Sequence, residues 1–205
     1  MKKVIAVILM CAALMLTTAC SAKGESAAFS HGTQDSAVYT SEFLGLKAEF
    51  TEDWSITADS DLAQVNGIDS MSDDNMATAL KTNGMLYEMM AAAGDNSSNV
   101  NITIENLNVT NLGRSLTAEQ YVGAAFNSIK NQYAAAGITD VEAEKSTVSF
   151  LGSETACIKT TLKNDGAELR QMMIPVSKGT YMGVIALTAP DEDGVNAQLE
   201  MFKSL

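Results

Sequence analysis

The chain has 205 residues, with 25 acidic against 13 basic side chains, a formal charge of −12 at pH 7, and 46% hydrophobic residues. That length is enough for one domain with a substantial core. The charge excludes nucleic-acid binding by phosphate neutralisation, and it repels anionic lipid, so no basic face is available to hold a membrane.

The N-terminus supplies an attachment of another kind. Met1-Lys2-Lys3 is followed by an uncharged run over residues 4–16 and then by Leu16-Thr17-Thr18-Ala19-Cys20. A basic start, a short apolar run and small residues before a cut mark a secretory signal. The run falls short of the roughly 20 residues that a bilayer-spanning helix needs. A Cys directly after the small residues resembles a lipobox. The resemblance implies that residues 1–19 leave as a lipoprotein signal peptide and that Cys20 carries the lipid, palmitate included. Each buried CH₂ contributes about 0.8 kcal/mol, so two or more acyl chains hold firmly. The expected address is the outside of the cytoplasmic membrane of a bacterial cell. The expected partners are the membrane, through Cys20, and an envelope protein.

Residues 20–37 are small and polar without an apolar period, and they read as a flexible tether. The only His, His31, falls within it. Of three Cys, Cys11 departs with the signal and Cys20 is acylated, which leaves Cys157 with no intramolecular partner. An exported domain without disulfides depends on its core. Cys157 itself reads as a small hydrophobe in a strand.

Residues 38–205 read as a single α+β domain. Leu46, Ala48 and Phe50 alternate with Lys47 and Glu49, a half-buried strand, and the turn Thr51-Glu52-Asp53 leads to Trp54, whose ring is expected to fold back over that sheet. A short helix capped by Ser60 or Asp61 presents Leu62, Ala63 and Val65 and stops at Gly67, and another helical turn covers residues 76–81. Residues 85–92 favour helix by propensity, but the turn residues Gly94-Asp95-Asn96-Ser97-Ser98 and the alternating Val100, Ile102 and Ile104 argue for a strand hairpin. Thr117 and Gln120 make a capping box, with Leu116 as its staple. Val122, Ala125, Phe126, Ile129 and Tyr133 then share one helix face, and Gly137 ends it. Four strand-like runs follow over residues 141–151, 154–163, 168–176 and 180–188. Tight turns at Gly152-Ser153, Asn164-Asp165-Gly166 and Lys178-Gly179 force them antiparallel. A terminal helix from Asp191 presents Val195, Leu199 and Phe202. The expected fold is an antiparallel sheet of about six or seven strands, with a long middle helix and a C-terminal helix packed on it.

The segment Phe43-Leu44-Gly45-Leu46-Lys47-Ala48-Glu49-Phe50, then Trp54, resembles the opening of the PsbP-like family. So do Tyr121 in the long helix, Gly152 in the following hairpin, Lys178-Gly179-Thr180-Tyr181 and the terminal helix. The likeness covers residues 38–205. The resemblance implies the fold, and it extends to small bacterial lipoproteins of unknown role. Its motifs mark architecture and none is catalytic.

The inventory of reactive groups points away from an enzyme. The single His in the tether removes nucleophile–His chemistry and a His-based zinc site, and no phosphate-cradling Gly loop is present. Glu142 and Glu144 share a strand face and read as solvated. Asp69, Asp73, Asp74 and Asn75 lack the EF-hand spacing. Met71, Met76, Met85, Met89 and Met90 would suit Cu(I) if three converged, but alternation sends Met85, Tyr87 and Met89 to one face and Leu86, Glu88 and Met90 to the other. The sequons at Asn96, Asn101 and Asn108 read as turn and strand residues. No cofactor and no metal are expected. The expected role is a non-catalytic binding or assembly module at the envelope, with a carrier of a small ligand or metal ion at the cell surface as the alternative.

Replacing the anchoring thiol tests this address. Cys20→Ser is expected to abolish incorporation of a palmitate analogue and to release the protein from the membrane fraction; an unlabelled wild type overturns the lipobox reading.

Overall fold

A computed structural model describes residues 29–111, 114–164 and 167–205. Cys20 and the expected signal peptide lie outside the described residues. In chain order the elements are β1 (Thr33–Asp35), β2 (Val38–Ser41), β3 (Leu46–Glu49), β4 (Trp54–Ile56), α1 (Asp59–Asn66), α2 (Asp73–Asn83), β5 (Met85–Ala93) and β6 (Asn99–Asn106). There follow α3 (Leu107–Thr110), α4 (Ala118–Ala135), β7 (Asp140–Phe150), β8 (Ser153–Asn164), β9 (Ala167–Lys178), β10 (Tyr181–Ala189), α5 (Glu192–Glu200) and β11 (Phe202–Ser204).

Seven strands form one antiparallel sheet in the order β4-β5-β6-β10-β9-β8-β7. This is the α+β antiparallel sheet expected from the sequence. Residues 85–92 are indeed strand, because the apolar cross-strand pairing with β6 outweighs their helix propensity. The β7–β8 hairpin turns on Leu151 and Gly152, both at positive φ, so the tight turn sits one residue earlier than Gly152-Ser153. The turn at Asn164-Asp165-Gly166 falls largely outside the described residues.

A second sheet, β1-β2-β3-β11, was not anticipated. Two segments read otherwise create it. Residues 33–35, expected to be tether, pair with β2. Phe202, expected on the face of the last helix, lies beyond its end and pairs with Ala48. The helix stops at Glu200 and the chain turns back through Met201, whose N–H donates to the Gln198 carbonyl at 3.1 Å.

The large sheet is covered on both faces. On one face, the small sheet and helices α1, α2 and α5 enclose a core that includes Leu44, Leu46, Met76, Met89, Ile102, Ile185 and Phe202. Leu44 packs directly on Gly183 of β10, where an added Cβ would lie 2.6 Å from Leu44 Cδ2. On the other face, α4 lays Tyr121, Val122, Ala125, Ile129 and Tyr133 against β7, β8 and β9. All nine residues of β10 are buried as a result.

The best-marked helix in the sequence has the predicted ends. The Thr117 hydroxyl accepts from the Gln120 N–H at 3.2 Å, and Gln120 Oε1 accepts from the Thr117 N–H at 3.0 Å. At the C-terminus the Ile138 N–H donates to the Tyr133 carbonyl and the Gly137 N–H to that of Ala134, a Schellman closure. α1 departs from expectation in two respects. Its N-cap is Ala58, with no side-chain capping bond, and Val65 is 52% exposed because only Leu62 and Ala63 reach the core.

Trp54 is half-buried, with its ring centroid 5.6 Å from that of Phe50. Full burial of a Trp makes its truncation cost about 3–5 kcal/mol; half that, ~2 kcal/mol, is expected here for Trp54→Ala by urea denaturation. An unchanged midpoint would mean that the ring contributes nothing to the fold.

Candidate functional site

The ionisable groups of interest are not those that the sequence singled out. Glu88 stands in the middle of the apolar strand β5, at a point where the ladder to β6 slips. Tyr87 is registered with Thr103 and Met89 with Ile102, which leaves Glu88 as the extra residue of a β-bulge. The bulge shifts the alternation by one, so Leu86, Glu88, Met89 and Ala91 are all buried. Met89 therefore joins the face expected for Leu86 and Glu88, and Met90 is only half-buried against the same core.

Glu88 is 1% exposed and its carboxylate is directed between the two sheets. Its Oε1 accepts from the Tyr39 hydroxyl of β2 at 2.6 Å and from the Gly32 N–H at 2.7 Å. The same oxygen lies 3.2 Å from His31 Nδ1, near enough for an ion pair when the ring is protonated. His31 Nε2 faces Asp59 Oδ1 of α1 at 3.5 Å, and the His31 backbone N–H donates to Asp73 Oδ1 of α2 at 2.6 Å. Only glycine fits at position 32, since a Cβ there would fall 2.2 Å from the Tyr39 oxygen. Burial works against a charged His31 ring, but Glu88 and Asp59 outweigh it and raise its pKa above the usual histidine value. Burial, then the Glu88 charge, hold the Tyr39 phenol well above its usual range.

His31 is thus a packed residue of the domain, and its assignment to a free tether is corrected. Phe29 behaves likewise, its ring centroid 5.2 Å from that of Phe43. The composition of residues 29–36 resembles a linker because its contacts, the Phe29 ring, the hydrogen bonds at His31 and Gly32 and the short β1 ladder, leave no periodic apolar pattern. The one sequence signal was a lone Glu inside Met-Leu-Tyr-Glu-Met-Met.

A second buried acid lies on the opposite face of the sheet. Glu105 of β6 is 2% exposed and its Oε2 accepts from the Tyr121 hydroxyl of α4 at 2.7 Å. Burial raises its pKa, against hydrogen bonds from Thr110 and Tyr121. A cavity of about 20 Å³ adjoins it, lined by Met85, Val122, Ile129 and Met173 among others, room for roughly one water.

The larger concavity is an open groove of about 320 Å³ on the outer strands, bordered by α5. Glu142, Glu144, Lys159, Arg170, Met172 and Glu192 line it. Lys159 Nζ meets Glu192 Oε1 at 3.1 Å, Lys163 Nζ meets Glu142 Oε1 at 3.3 Å, and Arg170 donates to the Thr161 hydroxyl at 2.5 Å. Glu142 and Glu144 do share an exposed strand face, with cations beside them. Cys157 is fully buried, and burial raises its thiol pKa. Asp73 and Asp74 open α2, while Asn75 donates to Ser70. Of the Met group, Met71, Met76 and Met89 are core residues, whereas Met85 lines the Glu105 cavity on the other face.

No family model and no curated protein sequence matches the chain. In structure it is similar to cyanobacterial PsbP from Synechocystis, at 13% identity and a TM-score of 0.47, covering 82% of this chain and 91% of that one. It is also similar to a crystal structure of a protein from Bacteroides thetaiotaomicron, at 11% identity and a TM-score of 0.40, covering 82% of this chain. The match spans about half, 48%, of that longer protein. Both likenesses concern the fold alone.

The raised pKa of Glu105 gives a pH test. Its folded pKa exceeds the unfolded one, so its contribution is fully present below the ordinary carboxyl range and is lost as pH rises through the raised value. Glu105→Gln keeps a partner for Tyr121 without the charge. It should match wild type in urea midpoint near pH 4 and exceed it near pH 7.5; a variant less stable at both pH values overturns this account.

Proposed function

We propose that the protein is an envelope-anchored, non-catalytic binding module. It is held outside the cytoplasmic membrane by the lipid on Cys20 and engages an envelope protein through the charged groove beside α5. One contrast carries this reading: the buried acids are committed to holding elements together, whereas the groove gathers charges of both signs open to solvent, on paired strands and the first turn of α5. Glu88 Oε1 and Glu105 Oε2 each accept from a tyrosine of another element, which makes them supports of the fold. The groove presents Glu144 and the Lys159–Glu192 pair over strands whose backbone is locked in ladders, a preorganised polar surface.

The groove volume of about 320 Å³ also favours a second reading. It reaches the lower end of the range for small-molecule sites, roughly 300 Å³, so a surface carrier of a small polar ligand is the alternative.

A photo-reactive residue placed at Glu144 in the lipidated protein, in intact cells, tests the choice. A discrete protein adduct is expected at position 144, absent from Asn131 on the exposed side of α4, and weakened at least several-fold by Lys159→Glu with Arg170→Ala. Equal adducts at both positions, or none at 144, overturn the groove as a protein-binding surface.

A further inference from the structure

We propose that His31 is the catch of a pH-sensitive latch that fastens residues 29–35 to the domain. Four contacts to three carboxylates define the catch. The imidazole lies between Glu88 of β5, 3.2 Å from Nδ1, and Asp59 of α1, 3.5 Å from Nε2. The backbone on either side of its Cα is gripped as well: the His31 N–H by Asp73 of α2, and the Gly32 N–H by Glu88. These carboxylates, with the Tyr39 hydroxyl of β2, are the titratable groups facing the ring, and none of them brings a positive charge.

The Glu88 carboxylate makes the latch sensitive. It is 1% exposed, and its Oε2 makes no hydrogen bond among the described residues. A buried carboxylate without a counter-charge is strongly destabilising, whereas a paired one is tolerated. His31 is the cation available to it. The raised pKa of the ring sets the sign: the stabilisation is fully present below the ordinary histidine value and is lost as pH rises through the raised one. The latch is therefore favoured on the acid side of the ring's titration and weakened on its alkaline side. The rest of the segment is lightly held, by the three-residue strand β1, whose side chains are all exposed, and by the Phe29 ring.

Opening changes the reach of the domain, a consequence that rests on the lipid-anchor reading above. With the latch closed, residues 21–28 separate Cys20 from the domain and span at most about 30 Å. With it open, the connection extends to Val38, and residues 21–37 span at most about 60 Å. His31 would then adjust how far the groove stands from the membrane.

Two arms test the latch and the anchor separately. In the soluble Cys20→Ser mature chain, the single imidazole is followed by NMR, together with protection factors for the amides of residues 33–35. The expected result is a His31 pKa above that of a free histidine and protection that falls, approaching tenfold per pH unit, through the same titration. His31→Gln should give low, pH-independent protection, and Glu88→Gln should return the ring to or below its ordinary value. A ring that titrates at its ordinary value, or protection unchanged in His31→Gln at every pH, overturns the latch. In the second arm the lipidated protein is bound to phosphatidylcholine vesicles carrying a dansyl lipid, with the sole Trp, Trp54, as energy donor. Transfer should fall as pH rises in wild type and not in His31→Gln. Failure to bind the vesicles overturns the anchor, and the first arm still decides the latch.

Discussion

Glu88 sets a constraint that several elements have to meet together. A carboxylate has been carried to a site between two sheets, where burial of the charged form costs several kcal/mol after relaxation. The bulge at Tyr87–Met89 places it there, β2 supplies Tyr39, the N-terminal segment supplies Gly32 and His31, and α1 supplies Asp59. Remove any of these and the others face an imperfectly satisfied charge. The small sheet is thus tied to the large one by a polar bond inside an otherwise apolar interface formed by Leu44, Leu46 and Met89.

The opposite face of the large sheet repeats the device with different partners. Glu105 and Tyr121 join β6 to α4, and Gln171 joins Tyr133 of α4 to Thr188 of β10. Apolar packing between a helix and a sheet is non-directional and tolerates sliding; a buried hydrogen bond between named atoms does not. Both covering layers are therefore pinned in register by an acid–tyrosine pair. That use of the acids leaves the exposed charges of β7, β8 and β9 as the chemistry available to a partner, which is why the functional reading turns on the groove.

The N-terminal segment joins these two themes. It follows the residues expected to carry the lipid, and it ends on the buried acid that ties the sheets together. In the proposed latch, stability of the interface and the reach of the domain from its expected anchor are coupled through one imidazole.

Much of the architecture was legible because it rests on local physics. The Thr117–Gln120 box and the Gly137–Ile138 closure are satisfied within a few residues of themselves, so α4 could be read directly. The alternation of Val100, Ile102 and Ile104 and the short connections of β7 to β10 dictated an antiparallel sheet in the same way. The expectation of a signal and of a lipid on Cys20 also rests on consecutive residues, all outside the described ones. What escaped was decided by contacts between residues far apart in sequence. Alternation already put Glu88 on the face of Leu86; the register slip against β6 brought Met89 to that face too, which no periodicity of the strand reveals. His31 found Glu88, 57 positions away, and Phe202 found Ala48, so one segment read as tether and another read as helix became strands of a second sheet. The sequence alone determined the local elements, the acidic balance and the expected address. Only the tertiary structure decided which polar side chains are enclosed, because burial of a charge depends on what covers it, and the groups that cover Glu88 lie at residues 31, 32, 39 and 59, far from it in sequence.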